Sequence, residues 1–223
     1  MKFLLIGCNG KMGKAIIKIA QEFDDVIVCG IDIKNEIQNF KTYSNTSMIT
    51  EELDAIIDFS TTENHVEFLN FAKERNIPYG LFSTIANNET KQALNECSKH
   101  IPILHCKNAS IGINIVYEML ELCAKKLPKC DTVIQEYHHK EKIDKPSGTA
   151  KEIENILANN NINFETISYR VGQEKGTHII QFFMQDETIT LTHTAHSRDI
   201  FARGAILAMH KLKEKENNLY YHP

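Results

Sequence analysis

Residues 136–150, EYHHKEKIDKPSGTA, gather two histidines, three lysines and a Pro-Ser-Gly-Thr turn within fifteen positions. His138, His139 and Lys142 follow a predicted strand, and Ser147-Gly148-Thr149 then opens a predicted helix. Pro146 suits the turn, Ser147 is a natural N-cap, and Gly148 leaves the next backbone amides uncovered. A helix start with bare N–H groups seats an anion, and a carboxylate or phosphate matches it best. Two imidazoles and an ammonium beside it add positive charge and a route for proton transfer. Together they describe a pocket for a small, multiply anionic molecule that needs one proton moved. A solvated surface loop is the plain alternative, but it would scatter such groups without a capping turn.

A second chemical signature lies at the N-terminus. LLIGCNGKMG places Gly7, Gly10 and Gly13 between a predicted strand and a predicted helix, with Cys8, Asn9, Lys11 and Met12 completing the turn. Glycines there allow a tight turn and close backbone approach, so a pyrophosphate can rest on the helix start. The spacing is GxxGxMG rather than GxGxxG, and a merely tight strand–helix turn remains the alternative. Asp32, ending the second predicted strand, is placed to accept hydrogen bonds from ribose hydroxyls. Its charge favours NADH over NADPH, and Lys34 two residues on softens that preference. DFSTTENHV (58–66) and FSTIANN (82–88) lie where two further strands end, the edge at which such sheets bind ligands. Phe59, Ser60, Ser83 and Thr84 are the cofactor candidates there. For Ser60 and Thr61 ordinary helix N-caps are the alternative.

These groups need a scaffold. The first half alternates buried-strand runs (KFLLIG, VIVCGID, AIIDFS, IPYGLFS, IPILHCK) with amphipathic helical stretches, the pattern of a mostly parallel sheet covered on both faces. Residues 34–52 are polar and weakly periodic and predict a short irregular connection. Beyond Asn108 the rhythm changes to a long helix over 114–127, the strand DTVIQEYHH, a helix from Gly148 to Asn159 and three strand-like runs. The fold class is α/β: a Rossmann-like, mostly parallel sheet domain over 1–107 and 198–223, and an α+β domain with an open mixed sheet over 108–197. The final helix, about 198–216, returns to the first domain.

Composition excludes several classes. At 223 residues and a formal charge of −4, the chain carries no global attraction for nucleic acid or anionic lipid. No apolar run is long enough to span a bilayer, and the opening residues are too short an apolar run for a signal peptide. The six cysteines form no CxxC pair and sit mostly in apolar segments, so they read as reduced core thiols of a cytoplasmic protein. His193 and His196 lack a third ligand of suitable spacing, so no metal is expected. Arg203 reads as an ion-pair anchor, and Arg170 or Thr177 as a candidate in a glycine-bearing, basic segment.

Glu136 through Ala150 match E-x-H-H-x-x-K-x-D-x-P-S-G-T-A at every fixed position, and the chain thereby resembles the 4-hydroxy-tetrahydrodipicolinate reductases. GxxGxMG, DFST at 58–61 and NASIGIN at 108–114 fit the same family. The resemblance implies NADH- or NADPH-dependent reduction of a cyclic dicarboxylate on the route to diaminopimelate and lysine. It implies His138 as general acid/base, Lys142 as its catalytic partner, and His139 as a substrate ligand. Ser147, Gly148 and Thr149 become the grip on one carboxylate, and the open sheet of the second domain the assembly surface of a homotetramer. Members usually carry G-T-T-G where this chain has Phe82-Ser83-Thr84-Ile85, and the chain is shorter than typical, with trimming expected around 34–52. A dinucleotide sensor without turnover, or another small-molecule dehydrogenase such as one acting on a semialdehyde, are the competing functions; neither explains the intact histidine motif with its carboxylate grip.

Overall fold

The run KFLLI forms β1 (Lys2–Ile6) and is apolar because both its faces are covered. Phe3 and Leu5 pack with Ile16, Ile19, Ala205 and Ile206, whereas Leu4 and Ile6 pack with Phe68, Leu69, Leu94 and Cys97. The structure, a computed structural model, describes residues 1–34, 38–61, 64–85 and 87–221. Two compact units emerge, Met1–Ser110 with Asp199–Pro223, and Ile111–Arg198.

In the first unit β1 is followed by α1 (Lys11–Ala20), β2 (Val26–Ile31), β3 (Lys41–Tyr43), β4 (Ala55–Asp58), α2 (His65–Arg75), β5 (Tyr79–Leu81), α3 (Asn88–Cys97) and β6 (Ile103–His105). The chain leaves for the second unit and returns through α6 (Asp199–Lys213) to β11 (Leu219–Tyr220). The sheet order β11-β6-β5-β4-β1-β2-β3 is parallel at every pairing. The strand order reverses between β1 and β4, and such a switch point opens a crevice at the carboxyl ends of the strands.

One expectation is corrected here. Residues 34–52 are not merely irregular: Lys41–Tyr43 pairs with β2, and Thr46–Met48 forms a single 3₁₀ turn. Beyond α6, Leu219–Tyr220 adds a further edge strand, against β6. Strands of two or three residues offer no period for a pattern to reveal; the partner strand's free edge selects them. Residues 35–37, part of the same stretch, lie outside the described residues. Arg203 is an ion-pair anchor as expected, 2.7 Å from Glu22. All six cysteines are free thiols.

The second unit runs α4 (Ile111–Lys126), β7 (Asp131–His138), α5 (Gly148–Asn159), β8 (Phe164–Arg170), β9 (Thr177–Phe183) and β10 (Thr188–Thr194). Its sheet, ordered β10-β9-β7-β8, is mixed, with α5 crossing between the parallel strands β7 and β8, and β9–β10 forming the expected hairpin. Along β7 burial alternates strictly, with Thr132, Ile134, Glu136 and His138 on the inner face. Ile134, Ile180, Phe182 and Leu191 make that face a core with Ile113, Leu120, Ile153 and Leu157. The opposite face carries the stacked rings of Tyr137 and Tyr169, with centroids 4.6 Å apart.

Candidate active site

The glycine turn has the tightness a dinucleotide cradle requires. Gly7 adopts φ +79°, the left-handed region that side chains avoid. A Cβ on Gly13 would stand 2.5 Å from the Cys8 carbonyl oxygen and closer still to that of Gly7, so only glycine lets α1 approach the turn. Gly10 caps α1 with no side-chain hydrogen bond, so the amides of Lys11, Met12 and Gly13 face outward without a cap. Asp32 accepts from the Asn9 amide at 2.8 Å and the Lys34 amide at 2.9 Å. A carboxylate has about four lone-pair directions, so acceptor capacity remains for ribose hydroxyls. Asn9 is buried, donating to the Lys34 carbonyl at 2.6 Å and accepting from Gln38 at 2.6 Å; it braces the turn from behind. Cys8 is buried too, and burial pushes its thiol up to about 11, so it is packing rather than a nucleophile.

Across the crevice, β4 ends in a buried carboxylate. Asp58 accepts from the Ser60 amide at 2.7 Å, lies 3.0 Å from His65 Nδ1, and accepts from the Tyr79 hydroxyl. This network fixes the loop whose backbone at Phe59 and Ser60 lies against Gly7. The helix-cap alternative for Ser60 and Thr61 fails, because α2 begins after Asn64. Ser60 Oγ and Ser83 Oγ are both buried without a partner among the described residues. Such orphaned hydroxyls at the strand ends, with the glycine cradle, fit a dinucleotide. Thr62, Glu63 and Ala86, within the two segments singled out, lie outside the described residues.

The Phe82-Ser83-Thr84-Ile85 departure is absorbed by the core. Phe82 is buried and stacks on Phe59, with centroids 5.0 Å apart at 16°. His105 Nε2 donates to the Ser83 carbonyl at 3.1 Å and holds the segment to the end of β6, while Thr84 is exposed. Burial lowers the pKa of His105.

In the second unit the inner face of the sheet changes at one end from apolar to ionisable. Cross-strand register lines up Ser168, Glu136, His178 and His193 in one row, and His138 with Arg170 in the next. Relative exposures are 0% for Glu136, 8% for His138, 4% for His178 and 2% for Ser147. Arg170 donates to Glu136 Oε1 at 2.9 Å and also reaches the Lys142 carbonyl at 3.2 Å and the Asp144 carbonyl at 2.5 Å. His138 Nδ1 comes within 2.5 Å of Glu136 Oε2, without the alignment of a straight hydrogen bond. Burial pushes the Glu136 carboxyl up, but hydrogen bonds from Ser168 and Arg170 and the charge of His138 outweigh it and hold the carboxyl below its usual range. Burial lowers His138, with Glu136 opposing that shift and Lys142 reinforcing it.

Ser147 is the N-cap of α5: its Oγ accepts from the Ala150 amide at 3.2 Å and lies 3.1 Å from His178 Nε2. A Cβ on Gly148 would meet nothing within 4 Å, so the turn opens onto free space there. Thr149 lies in the first turn of α5. His139, beyond the end of β7, is half-buried and accepts from the Lys142 amide through its carbonyl at 3.1 Å. Lys142 Nζ pairs with Asp144 at 2.7 Å. The structure thus gathers His138 and Ser147 with Glu136, Arg170 and His178. The sequence reading gave Glu136 and His178 no role, and Arg170 an uncertain one. The missed signal was periodicity: both Glu136 and His178 occupy buried registers otherwise held by Ile134, Ile180 and Phe182. Ligand atoms of Glu136, His138 and His178 come within 4.8 Å of one another, a spacing a cation could use. Arg170 bonded to the only carboxylate makes the cluster a better seat for an anion. Among the described residues no helix is long and apolar enough to cross a membrane.

Comparison with known proteins agrees with this arrangement. Residues 1–109 match the family model described as dihydrodipicolinate reductase, N-terminus, and residues 112–222 the one described as dihydrodipicolinate reductase, C-terminus. The 4-hydroxy-tetrahydrodipicolinate reductase of Clostridium tetani (strain Massachusetts / E88) is 34% identical over 242 residues, covering 99% of this chain and 94% of that protein. The protein of the same name from Thermosipho africanus (strain TCF52B) is 34% identical over 221 residues, covering 99% and 95%. A solved structure described as dipicolinate-bound dihydrodipicolinate reductase from Paenisporosarcina sp. TG-14 shares the fold, with TM-score 0.84, 18% identity and coverage of 100% and 97%. Matched from end to end in both halves, the chain belongs to the dihydrodipicolinate reductase family.

Proposed function

We propose that the chain reduces 4-hydroxy-tetrahydrodipicolinate to tetrahydrodipicolinate with loss of the 4-hydroxyl as water, in diaminopimelate and lysine biosynthesis. The observation that carries this reading is the buried His138–Glu136–Arg170 group beside the open, Ser147-capped turn, in a chain that relatives so named match throughout. When bound, a reduced nicotinamide supplies the hydride. The net reaction takes up one proton as water leaves, and His138 is the acid positioned to supply it. Glu136 keeps the protonated imidazole accessible despite burial, and Arg170 holds Glu136 ionised. Lys142 adds positive charge and serves as catalytic partner. His139 contacts substrate, and Ser147, Gly148 and Thr149 grip one carboxylate through the hydroxyl and the backbone at the start of α5.

Residues 1–107 with 198–223 form the dinucleotide domain and 108–197 the substrate domain. Gly7, Cys8, Asn9, Gly10, Lys11, Met12 and Gly13 shape the pyrophosphate cradle. Asp32 takes the ribose, and Phe59, Ser60, Ser83 and Thr84 line the nicotinamide end. Asp32 repels a 2′-phosphate, so NADH is favoured over NADPH, with Lys34 moderating the preference. The dipicolinate of the Paenisporosarcina relative points to a planar dicarboxylate as the ligand class here too. The free thiols suit the cytoplasm. The open sheet face, with stacked Tyr137 and Tyr169 and the Gln135–Gln181 hydrogen bond, is the surface on which a homotetramer assembles. The test is NADH oxidation followed optically while the upstream synthase generates substrate in situ. Absence of substrate-dependent oxidation with either cofactor sinks the proposal, and light scattering that reports a monomer removes its assembly clause.

A further inference from the structure

His178 lies outside the E-x-H-H-x-x-K-x-D-x-P-S-G-T-A signature, on a different strand, yet it touches the signature's capping serine from within the core. Two protonation patterns satisfy the contact. In one, Ser147 donates to Nε2; the serine hydrogen is then consumed, and His178 carries an N–H on Nδ1, a buried atom with no partner among the described residues. In the other, Nε2–H donates to Ser147 Oγ; the ring then leaves only a bare nitrogen in the core, and the freed hydroxyl hydrogen, which can rotate, finds its acceptor in a bound anion. Orphaned buried N–H groups are the rarer and costlier defect, so the second pattern prevails.

Its consequence concerns the anion seat, and it rests on the functional reading above. We infer that His178 is a positioning residue that makes Ser147 an obligate donor: with the Ala150 amide and the His178 Nε2–H both donating to Oγ, the hydroxyl hydrogen is left for a bound carboxylate. His178 suits the task because it stays neutral. Burial, and then the charge of His138, push its pKa down to about 3, so its ring keeps one fixed N–H at working pH. The residue is held by register opposite Glu136 and by edge-to-face packing on His138, at 5.3 Å between centroids.

The experiment compares His178→Phe, which keeps a ring but loses the donor, with His178→Gln, whose amide N–H mimics Nε2–H. The probe is dipicolinate, titrated into the full-length protein by calorimetry, with NADH affinity measured separately. H178F is expected to weaken dipicolinate about 10-fold or more, as for a lost hydrogen bond to a charged group. NADH affinity holds, and KM rises by more than kcat falls. H178Q restores most of the loss, and H178F adds nothing in a Ser147→Ala background. Should H178F fail to fold, His178→Asn replaces it, since its shorter amide cannot reach Ser147 and the same weakening is expected. Wild-type dipicolinate affinity in the donorless variant, or an H178Q no better than H178F, overturns this inference while leaving the functional reading intact. A wild-type protein that neither binds dipicolinate nor oxidises NADH with substrate overturns both.

Discussion

At the scale of single residues the site is a problem in keeping one imidazole protonatable inside a protein. Burial lowers His138, Lys142 and Arg170 lower it further, and Glu136 is the charge that opposes them. His138→Ala is expected to lower kcat by about 10²–10⁴-fold with cofactor affinity retained; steady-state kinetics showing an unaffected kcat would remove it as the acid. Glu136→Gln tests the electrostatic argument. With the carboxylate gone, the His138 pKa falls further, so the proton donor is lost at lower pH. The alkaline limb of the kcat/KM profile should then move toward acid, and a limb that stays in place or moves the other way excludes Glu136 as the tuning charge. His138 was legible because it sits in a dense polar run. Glu136 and His178 were legible only as polar residues on buried registers, and Arg170 depends on β7–β8 pairing, which local sequence does not encode.

At the scale of elements, what matters is how closely α1 may approach the end of β1. The barrier is backbone, not a side chain that can rotate, since a Gly13 Cβ would strike the Gly7 and Cys8 carbonyls. Gly13→Ala is therefore expected to cost about 1–3 kcal/mol of stability, the range for forced overpacking, and to weaken NADH binding. Calorimetric unfolding beside a cofactor titration checks it; an alanine variant with wild-type Tm and NADH affinity would show that the helix can shift without consequence. Long elements were readable because buried parallel strands are apolar throughout and helices repeat their apolar face. The Gly148–Asn159 helix matched in full, since Ser147 announces its start. β3 and β11 were not readable, being defined by a neighbour's unpaired edge rather than by any pattern of their own. The Phe82 departure looked like a change in the cofactor loop; only the packing on Phe59 revealed that its bulk turns into the core.

At the scale of the whole chain, two sheets with different burial logic imply different responses to acid. The parallel sheet is apolar on both faces, whereas the mixed sheet buries Glu136, His138 and His178 at one end of its core. His178 is the most perturbed of the three, surrounded by His138, Glu136, His193 and Lys142, with Arg170 on the neighbouring row. Its folded pKa of about 3 lies below the usual 6.5, so the unfolded chain takes up a proton that the folded chain refuses. Above pH 6.5 neither state holds that proton and the fold keeps its full stability; between pH 6.5 and 3 its uptake by the unfolded chain erodes that stability. The slope is at most about 1.4 kcal/mol per pH unit, because only one proton is involved. Hydrogen exchange read separately on β7 and β9 and on β1 and β4 resolves the two units. Protection of β7 and β9 is expected to fall first on acidification, and His178→Phe to flatten that fall by removing the titrating ring. Parallel loss of protection in both sheets, or an H178F variant with the wild-type slope, would mean that the buried imidazole does not govern the acid response of the substrate domain.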